Sequence, residues 1–171
     1  YIKGTLHYKL NIRPRHNTDL KIEAYTDADW AGQSDRYSIT GGLLMLDGVN
    51  VSSWARTQKA IATSSGESEL YAMSVGAAEA LGLRELLTDI GLPATVRLRC
   101  DSTAAMGTAS RQGLGRMKHV QVRDLALQQW IADGRLTLQK IASSGNAADI
   151  LTKHVSQNVL QTLVPKLGLQ Q

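Results

Sequence analysis

Asp27, Glu69, Asp101 and Asp149 lie far apart in the chain, and each stands at the edge of a recognisable local pattern. Tyr25-Thr26-Asp27 closes an apolar run, and Glu69-Leu70-Tyr71-Ala72 opens a long helical stretch. Cys100-Asp101-Ser102 closes a second apolar run, and Ala148-Asp149-Ile150-Leu151 falls near the C-terminus. Carboxylates drawn together from distant segments repel one another unless cations hold them. An all-oxygen cluster suits hard divalent ions, and two such ions side by side support in-line displacement at a phosphodiester. The residue types therefore point to metal-assisted hydrolysis at phosphorus, with carboxylates as ligands and no protein nucleophile. Any single Asp is more simply read as a solvated carboxylate or a helix cap. Asp35, Asp47, Asp89 and Asp133 fit that plainer reading, as turn or helix-end residues.

The elements that must position these acids follow from hydrophobic period and punctuation. Residues 22–26 read as a strand ending at Asp27. Residues 40–46 lead into Asp47-Gly48, a hairpin signal, and 49–55 return, giving a three-strand antiparallel meander. Ser64-Ser65-Gly66-Glu67 offers a capping box for a helix over 66–89, stopped by Gly91-Leu92-Pro93. Gly76 and Gly82 inside that helix each cost about 1 kcal/mol against Ala, unless they allow close packing. Residues 96–100 alternate as a strand, Ser102 caps a short helix over 103–110, and 119–132 form a second amphipathic helix ended by Asp133-Gly134. A fifth strand spans 136–141, a loop 143–146, a helix 147–154 and a last amphipathic segment 159–167. The leading residues, with an alternation over 7–12, read as a strand or a connector. The order β-β-β-α-β-α-α-β-α implies an α/β fold with a mixed sheet and helices on its faces. The expected division is 1–19 as leading connector or strand, 20–156 as the catalytic domain and 157–171 as a helical tail.

The chain has 171 residues, enough for one domain with a proper core, and 43% of them are apolar. No run approaches the roughly 20 apolar residues needed to span a bilayer. The N-terminus lacks both a starting Met and a signal-peptide pattern, so the chain reads as an excised piece of something longer. Cys100 is the sole cysteine, which excludes an internal disulfide. The formal net charge of +4 favours an anionic partner. Arg111, Arg116, Lys118, His119 and Arg123 fall together without an intervening acid. That run is either a solvated face or a phosphate-contacting surface whose grip weakens steeply with salt.

The order of elements and the local words together resemble ribonuclease H, most closely the RNase H domain of copia-type LTR retrotransposon polyproteins. The matching words are Tyr-Ile-Lys-Gly-Thr (1–5), Tyr-Thr-Asp-Ala-Asp-Trp-Ala-Gly (25–32) and Ser-Ser-Gly-Glu-Ser-Glu-Leu-Tyr-Ala (64–72), followed by Cys-Asp-Ser (100–102), Lys-His-Val (118–120) and Ala-Asp-Ile-Leu-Thr-Lys (148–153). Each is weak alone; six in family order are not. The resemblance implies a ribonuclease H-like five-stranded mixed sheet flanked by helices. It also implies two Mg²⁺ ions, with Mn²⁺ as a substitute, and cleavage of the RNA strand of RNA–DNA hybrids. By resemblance Asp27 bridges both ions, with Asp29 its rival, and Asp101 and Asp149 are ligands. Glu69 matches the Glu-Leu-x-Ala register, whereas Glu67 has a ready role as the reciprocal cap.

The same resemblance implies a role in reverse transcription, beside the reverse transcriptase part of one polyprotein, in the cytoplasm within virus-like particles. Arg36, Ser38, Ser65, Ser102, Arg116, Lys118 and His119 are the candidate substrate contacts, because a hybrid must be read through phosphates and 2′-hydroxyls. Trp30 reads as core in preference to a stacking surface, and Trp54 and Trp130 as core. The loop before Asp149 reads Ser-Ser-Gly-Asn-Ala-Ala and lacks the mobile His that cellular and retroviral relatives carry there. His154 is a proton shuttle or, more simply, a surface helix-end residue; His119 touches substrate or caps its helix. Two other classes compete: a degenerate domain kept as a tether or nucleic-acid clamp, and an integrase or resolvase on the same fold. All four carboxylates are present, against the former, and zinc-binding His and Cys pairs are absent, against an integrase.

Overall fold

A computed structural model describes residues 6–12, 19–32, 34–112 and 122–170, with the side chains of 122–124 left aside. Strand β1 (Lys9–Leu10) comes first, followed by the meander β2 (Leu20–Asp29), β3 (Ile39–Leu46) and β4 (Val49–Thr57). Helix α1 (Ser65–Asp89) leads to β5 (Ala94–Cys100), α2 (Thr103–Ala109), α3 (Val122–Ala132) and β6 (Thr137–Lys140). Two 3₁₀ turns, Ser143–Gly145 and Ala147–Leu151, precede α4 (Gln157–Leu163), the 3₁₀ turn Val164–Leu167 and β7 (Leu169–Gln170).

The main sheet has five strands in the order β4-β3-β2-β5-β6. β2, β3 and β4 pair antiparallel, while β2–β5 and β5–β6 pair parallel, so the expected mixed sheet is the one found. The β3–β4 turn follows from its sequence. Asp47 and Gly48 have φ of 48° and 83°, the doubly positive pattern of a tight hairpin turn, and Asp47 Oδ1 accepts a hydrogen bond from Lys21 N–H at 2.8 Å.

α1 covers one face of the sheet. Its Leu70, Met73, Ala77, Ala80 and Leu81 pack with Ile22, Ala24, Val96 and Leu98 in the main core, which also takes in Trp54 and Leu127. Gly76 lets the helix come close, since a Cβ there would stand 2.3 Å from Thr26 Cγ2. A smaller core comprises Leu43, Met45, Ala147 and Leu167, with Tyr25, Ile150 and Leu169 packed against it. Leu163, Val164 and Leu167 are buried, so the C-terminal segment is fastened to the body, and β7 pairs antiparallel with β1. Among the described residues no helix is long and apolar enough to cross a membrane.

Three sequence expectations need correction. The helix foreseen over 147–154 is the 3₁₀ turn Ala147–Leu151, because Thr152 N–H bonds back to Asp149 O and the Thr152 hydroxyl turns inward to Asp27. The C-terminal segment is not wholly helical but finishes extended, as β7. Trp30 is 48% exposed rather than core; its indole N–H finds Ala62 O at 3.0 Å, which satisfies the polar edge and leaves the ring at the surface.

Candidate active site

β2 and β5 are parallel neighbours, and their last registered pair is Tyr25 with Arg99. Asp27 and Asp101 each lie two residues beyond that pair, at the carboxyl ends of adjacent parallel strands, where open α/β sheets gather ligands. Glu69 comes from the start of α1, and Asp149 from the Ala147–Leu151 turn. The approach of that turn to β2 depends on β3. Gly41 is the register partner of Asp27, and a Cβ on it would stand 2.5 Å from Thr152 Cγ2 and 3.0 Å from Ala148 O. A side chain at Gly41 would therefore push Asp149 away from Asp27.

Four acids from four elements meet in two overlapping groups. Asp27, Asp101 and Asp149 offer oxygens all within 4.8 Å of one another; Glu69, Cys100 and Asp101 offer donor atoms within the same limit. Asp101 is common to both groups, whereas the resemblance assigns the bridging role to Asp27. Asp29 belongs to neither group; its carboxylate lies over Gly32, where a Cβ would meet Asp29 Oδ2 at 1.8 Å. Glu67 is spent on structure. Its Oε2 accepts from Thr63 N–H at 2.7 Å and Thr63 Oγ1 at 2.6 Å, and its Oε1 from the Tyr71 hydroxyl. The reciprocal half of the capping box thus reaches Thr63 instead of Ser64, while Ser64 Oγ accepts from Glu67 N–H at 3.2 Å as expected.

Burial makes the cluster electrostatically expensive. Asp27, Glu69 and Asp149 are 2%, 6% and 9% exposed. Burial, then the charges of Asp27 and Asp101, push the Glu69 carboxyl up to about 8, against a backbone hydrogen bond from Ala28 that favours ionisation. Burial and the charge of Asp27 push Asp149 up to about 6. The Cys100 thiol, raised by burial and then by Glu69 to about 12, stays protonated and sits 4.0 Å from Glu69 Oε2. It is therefore no ligand for a hard cation, and the donors that remain are carboxylate oxygens. A donor set of this chemistry fits Mg²⁺ or Mn²⁺, whose charge would remove the repulsion that lifts Glu69 and Asp149.

Three residues that sequence reasoning left without a role complete the site. Lys153 Nζ stands 3.2 Å from Asp149 Oδ1 and 3.7 Å from Asp27 Oδ2. The Thr152 hydroxyl donates to Asp27 Oδ2. Asn146, fully buried, donates from Nδ2 to Thr26 O at 2.9 Å and accepts from Ala148 N–H at 3.2 Å, tying the Asp149 turn to the strand that carries Asp27. The signal for Lys153 was its spacing four residues after Asp149. Asn146 carried only the cue of an N-cap residue before a short turn.

The expected substrate contacts are scattered. Arg36 and Ser65 are exposed. Ser102 is half-buried, and its hydroxyl caps α2 by accepting from Ala105 N–H at 3.2 Å. Ser38 is fully buried and accepts from Ala31 N–H at 3.1 Å, so the burial closes it to a ligand and gives it a structural task. Arg116, Lys118 and His119 lie outside the described residues. His154 is exposed.

No family model matches the sequence. Over 173 aligned residues the chain is 30% identical to the retrovirus-related Pol polyprotein from transposon RE1 of Arabidopsis thaliana, an alignment that covers 99% of this chain and 12% of that polyprotein's length. Among solved structures it is similar to LC11-RNase H1, isolated from compost by a metagenomic approach, at TM-score 0.54 and 21% identity, covering 77% of this chain and 92% of that one. It is similar also to the crystal structure of LC11-RNase H1 in complex with an RNA/DNA hybrid, at TM-score 0.50 and 16% identity, covering 77% and 93% of the two chains. The chain is thus a homologue of the retrovirus-related Pol polyproteins of copia-type transposons, and its fold is that of ribonuclease H.

Proposed function

We propose that this chain is a metal-dependent endoribonuclease that hydrolyses the RNA strand of RNA–DNA hybrids during reverse transcription of a retrotransposon. The observation that carries the reading is the convergence of Asp27, Glu69, Asp101 and Asp149, from distant segments, into two donor groups that share Asp101 at the carboxyl end of the sheet, three of the four acids being buried. Structural necessity does not account for it. Burying carboxylates against one another costs stability unless a cation is to be held there.

In this reading Asp27, Glu69, Asp101 and Asp149 hold two Mg²⁺ ions, which when bound would lower the pKa of a water and neutralise charge on the reacting phosphate. The chain's own residues do the rest. Asp101, shared by both carboxylate groups, couples the two halves of the site. Thr152 and Asn146 fix Asp27 and the Asp149 turn relative to each other before substrate arrives. Arg36 and Ser65, exposed at loop and helix start, and Ser102 at the α2 cap, are candidate contacts to phosphate or 2′-hydroxyl groups. The catalytic unit is residues 20–156, with 1–19 as a leading connector or strand and 157–171 as a C-terminal tail. The working partner is a reverse transcriptase segment of the same polyprotein, within cytoplasmic virus-like particles.

The test is cleavage of three duplexes of one sequence, an RNA–DNA hybrid, double-stranded RNA and double-stranded DNA, in Mg²⁺. The hybrid alone is cut, in its RNA strand, leaving 5′-phosphate and 3′-hydroxyl ends. Asp101→Asn loses that cleavage, at least a hundredfold, with its circular dichroism unchanged. Hybrid cleavage by Asp101→Asn at the wild-type rate would reject the site. Preference for either of the other duplexes would reject the substrate. Hybrid binding without any cleavage by the wild type would favour the tether reading.

A further inference from the structure

We propose that Lys153 is a built-in stand-in for a metal ion: its ammonium bridges Asp27 and Asp149 in the metal-free domain and gives up that place when a divalent cation enters. The proposal rests on the metal-binding reading of the carboxylate cluster. Lys153 Nζ lies 3.2 Å from Asp149 Oδ1 and 3.7 Å from Asp27 Oδ2, two of the three acids whose oxygens share a 4.8 Å neighbourhood. Among the described residues no other ammonium or guanidinium forms an ion pair with either carboxylate. Thr152 and Asn146 hold the two segments side by side, and among the described residues Lys153 supplies the one positive charge that offsets the repulsion between the two carboxylates.

The same position excludes joint occupancy. Mg²⁺ binds carboxylate oxygens at about 2.0–2.1 Å and demands near-octahedral surroundings. An ammonium already against those oxygens blocks that shell and repels the ion. Lys153 has an exit, because its side chain is 46% exposed and the ammonium rides on a flexible four-carbon stem. The backbone does not have to move with it: Lys153 N–H and Thr152 N–H both bond to Asp149 O, so the turn that presents Asp149 is held by main-chain bonds independent of the ammonium. Lys153 is thus a positioning residue, which keeps Asp27 and Asp149 paired until metal replaces it and tunes how tightly metal is held.

The test uses the whole chain and three readouts besides activity. Lys153→Met keeps the stem and removes the charge, and Lys153→Arg keeps a charge. Removal of a unit charge about 4 Å from the ion tightens binding about fivefold or more, so Mn²⁺ titrated into Lys153→Met and followed by electron paramagnetic resonance binds that much tighter than to wild type. Lys153→Arg keeps the charge and shows less tightening than Lys153→Met. In EDTA the thermal midpoint of Lys153→Met falls below wild type, and saturating Mg²⁺ closes the gap. In wild-type protein carrying ¹³C-lysine, the Lys153 ε-methylene signal moves to its solvent-averaged position over the same Mg²⁺ concentrations that fill the site. If Mn²⁺ binds while that signal stays fixed, or if Lys153→Met binds Mn²⁺ no more tightly, the displacement idea is overturned and the metal reading survives. If wild type and Asp101→Asn alike fail to bind Mn²⁺, the metal reading falls, and this proposal with it.

Discussion

Glu69→Gln should make the metal-free protein more stable at alkaline pH while destroying its metal-linked stabilisation. Glu69 carries the largest electrostatic load of the cluster: burial, then Asp27 and Asp101, lift its carboxyl from 4.5 to about 8. In the unfolded chain it ionises near its ordinary value, whereas in the folded domain it keeps its proton until about 8. The sign follows directly. Stability from this group is whole below about pH 4.5, declines through the interval up to about 8 and is gone above it. At 1.36 kcal/mol for each pH unit, the decline is on the order of 5 kcal/mol. For a domain of this size that is roughly 10–20 °C of melting temperature. Gln keeps an acceptor for the Ala28 N–H and has no charge to lose, so its curve lacks this slope. Asp149 still contributes a shallower decline in both proteins between its ordinary value and about 6. The assay is thermal unfolding in EDTA from pH 4.5 to 8.5. The two proteins converge at the acid end, and Glu69→Gln melts higher at pH 8. Saturating Mg²⁺ then raises wild type well above the variant, because only the intact site gains from mass action. Parallel pH curves in EDTA, or a variant less stable than wild type at pH 8, would refute the electrostatic account of the cluster.

Other perturbations test the scaffold. Gly76→Ala and Gly82→Ala lie in the same helix and should act in opposite directions. A Cβ at Gly76 meets Thr26 Cγ2 at 2.3 Å and overpacks the strand next to Asp27, costing about 1–3 kcal/mol in denaturant unfolding, whereas Gly82 has nothing within 4 Å and gains up to about 1 kcal/mol. Asn146→Ala strands Thr26 O and Ala148 N–H in a buried place, so urea unfolding shows a loss of about 1–3 kcal/mol, and hybrid cleavage falls further than that stability loss explains.

Much of this molecule was legible in its primary structure, for identifiable reasons. The β3–β4 hairpin was announced by Asp47-Gly48, because few residue pairs accept two consecutive positive φ values. The α1 start was announced by Ser64 and Glu67, whose side chains have short-range bonds to make. The choice of Glu69 over Glu67 rests on the Glu-Leu-x-Ala register and on a capping role for Glu67, and the structure gives Glu67 structural bonds to Thr63 and Tyr71. What escaped depends on contacts far apart in the chain. Asn146 meets Thr26, Thr152 meets Asp27 and Gly41 makes room for Thr152, and no local pattern encodes any of the three. Trp30 misled for a related reason. An aromatic ring next to a buried strand is usually core, but the chain turns at Ala31, φ 53°, and leaves the ring outside.

The two hydrophobic cores have a consequence for how such a domain fails. Three of the four acids are anchored by β2, β5 and α1, the pieces of the larger core, while Asp149 rides on a turn that packs in the smaller one, with Leu43, Met45, Ala147 and Leu167. The smaller grip is the weaker latch, and opening it would cost far less than global melting. A chain with that latch undone would keep its helices and most of its sheet yet hold an incomplete ring of ligands. Chemistry and foldedness are thus separable here: the domain has an off position lodged within its native architecture.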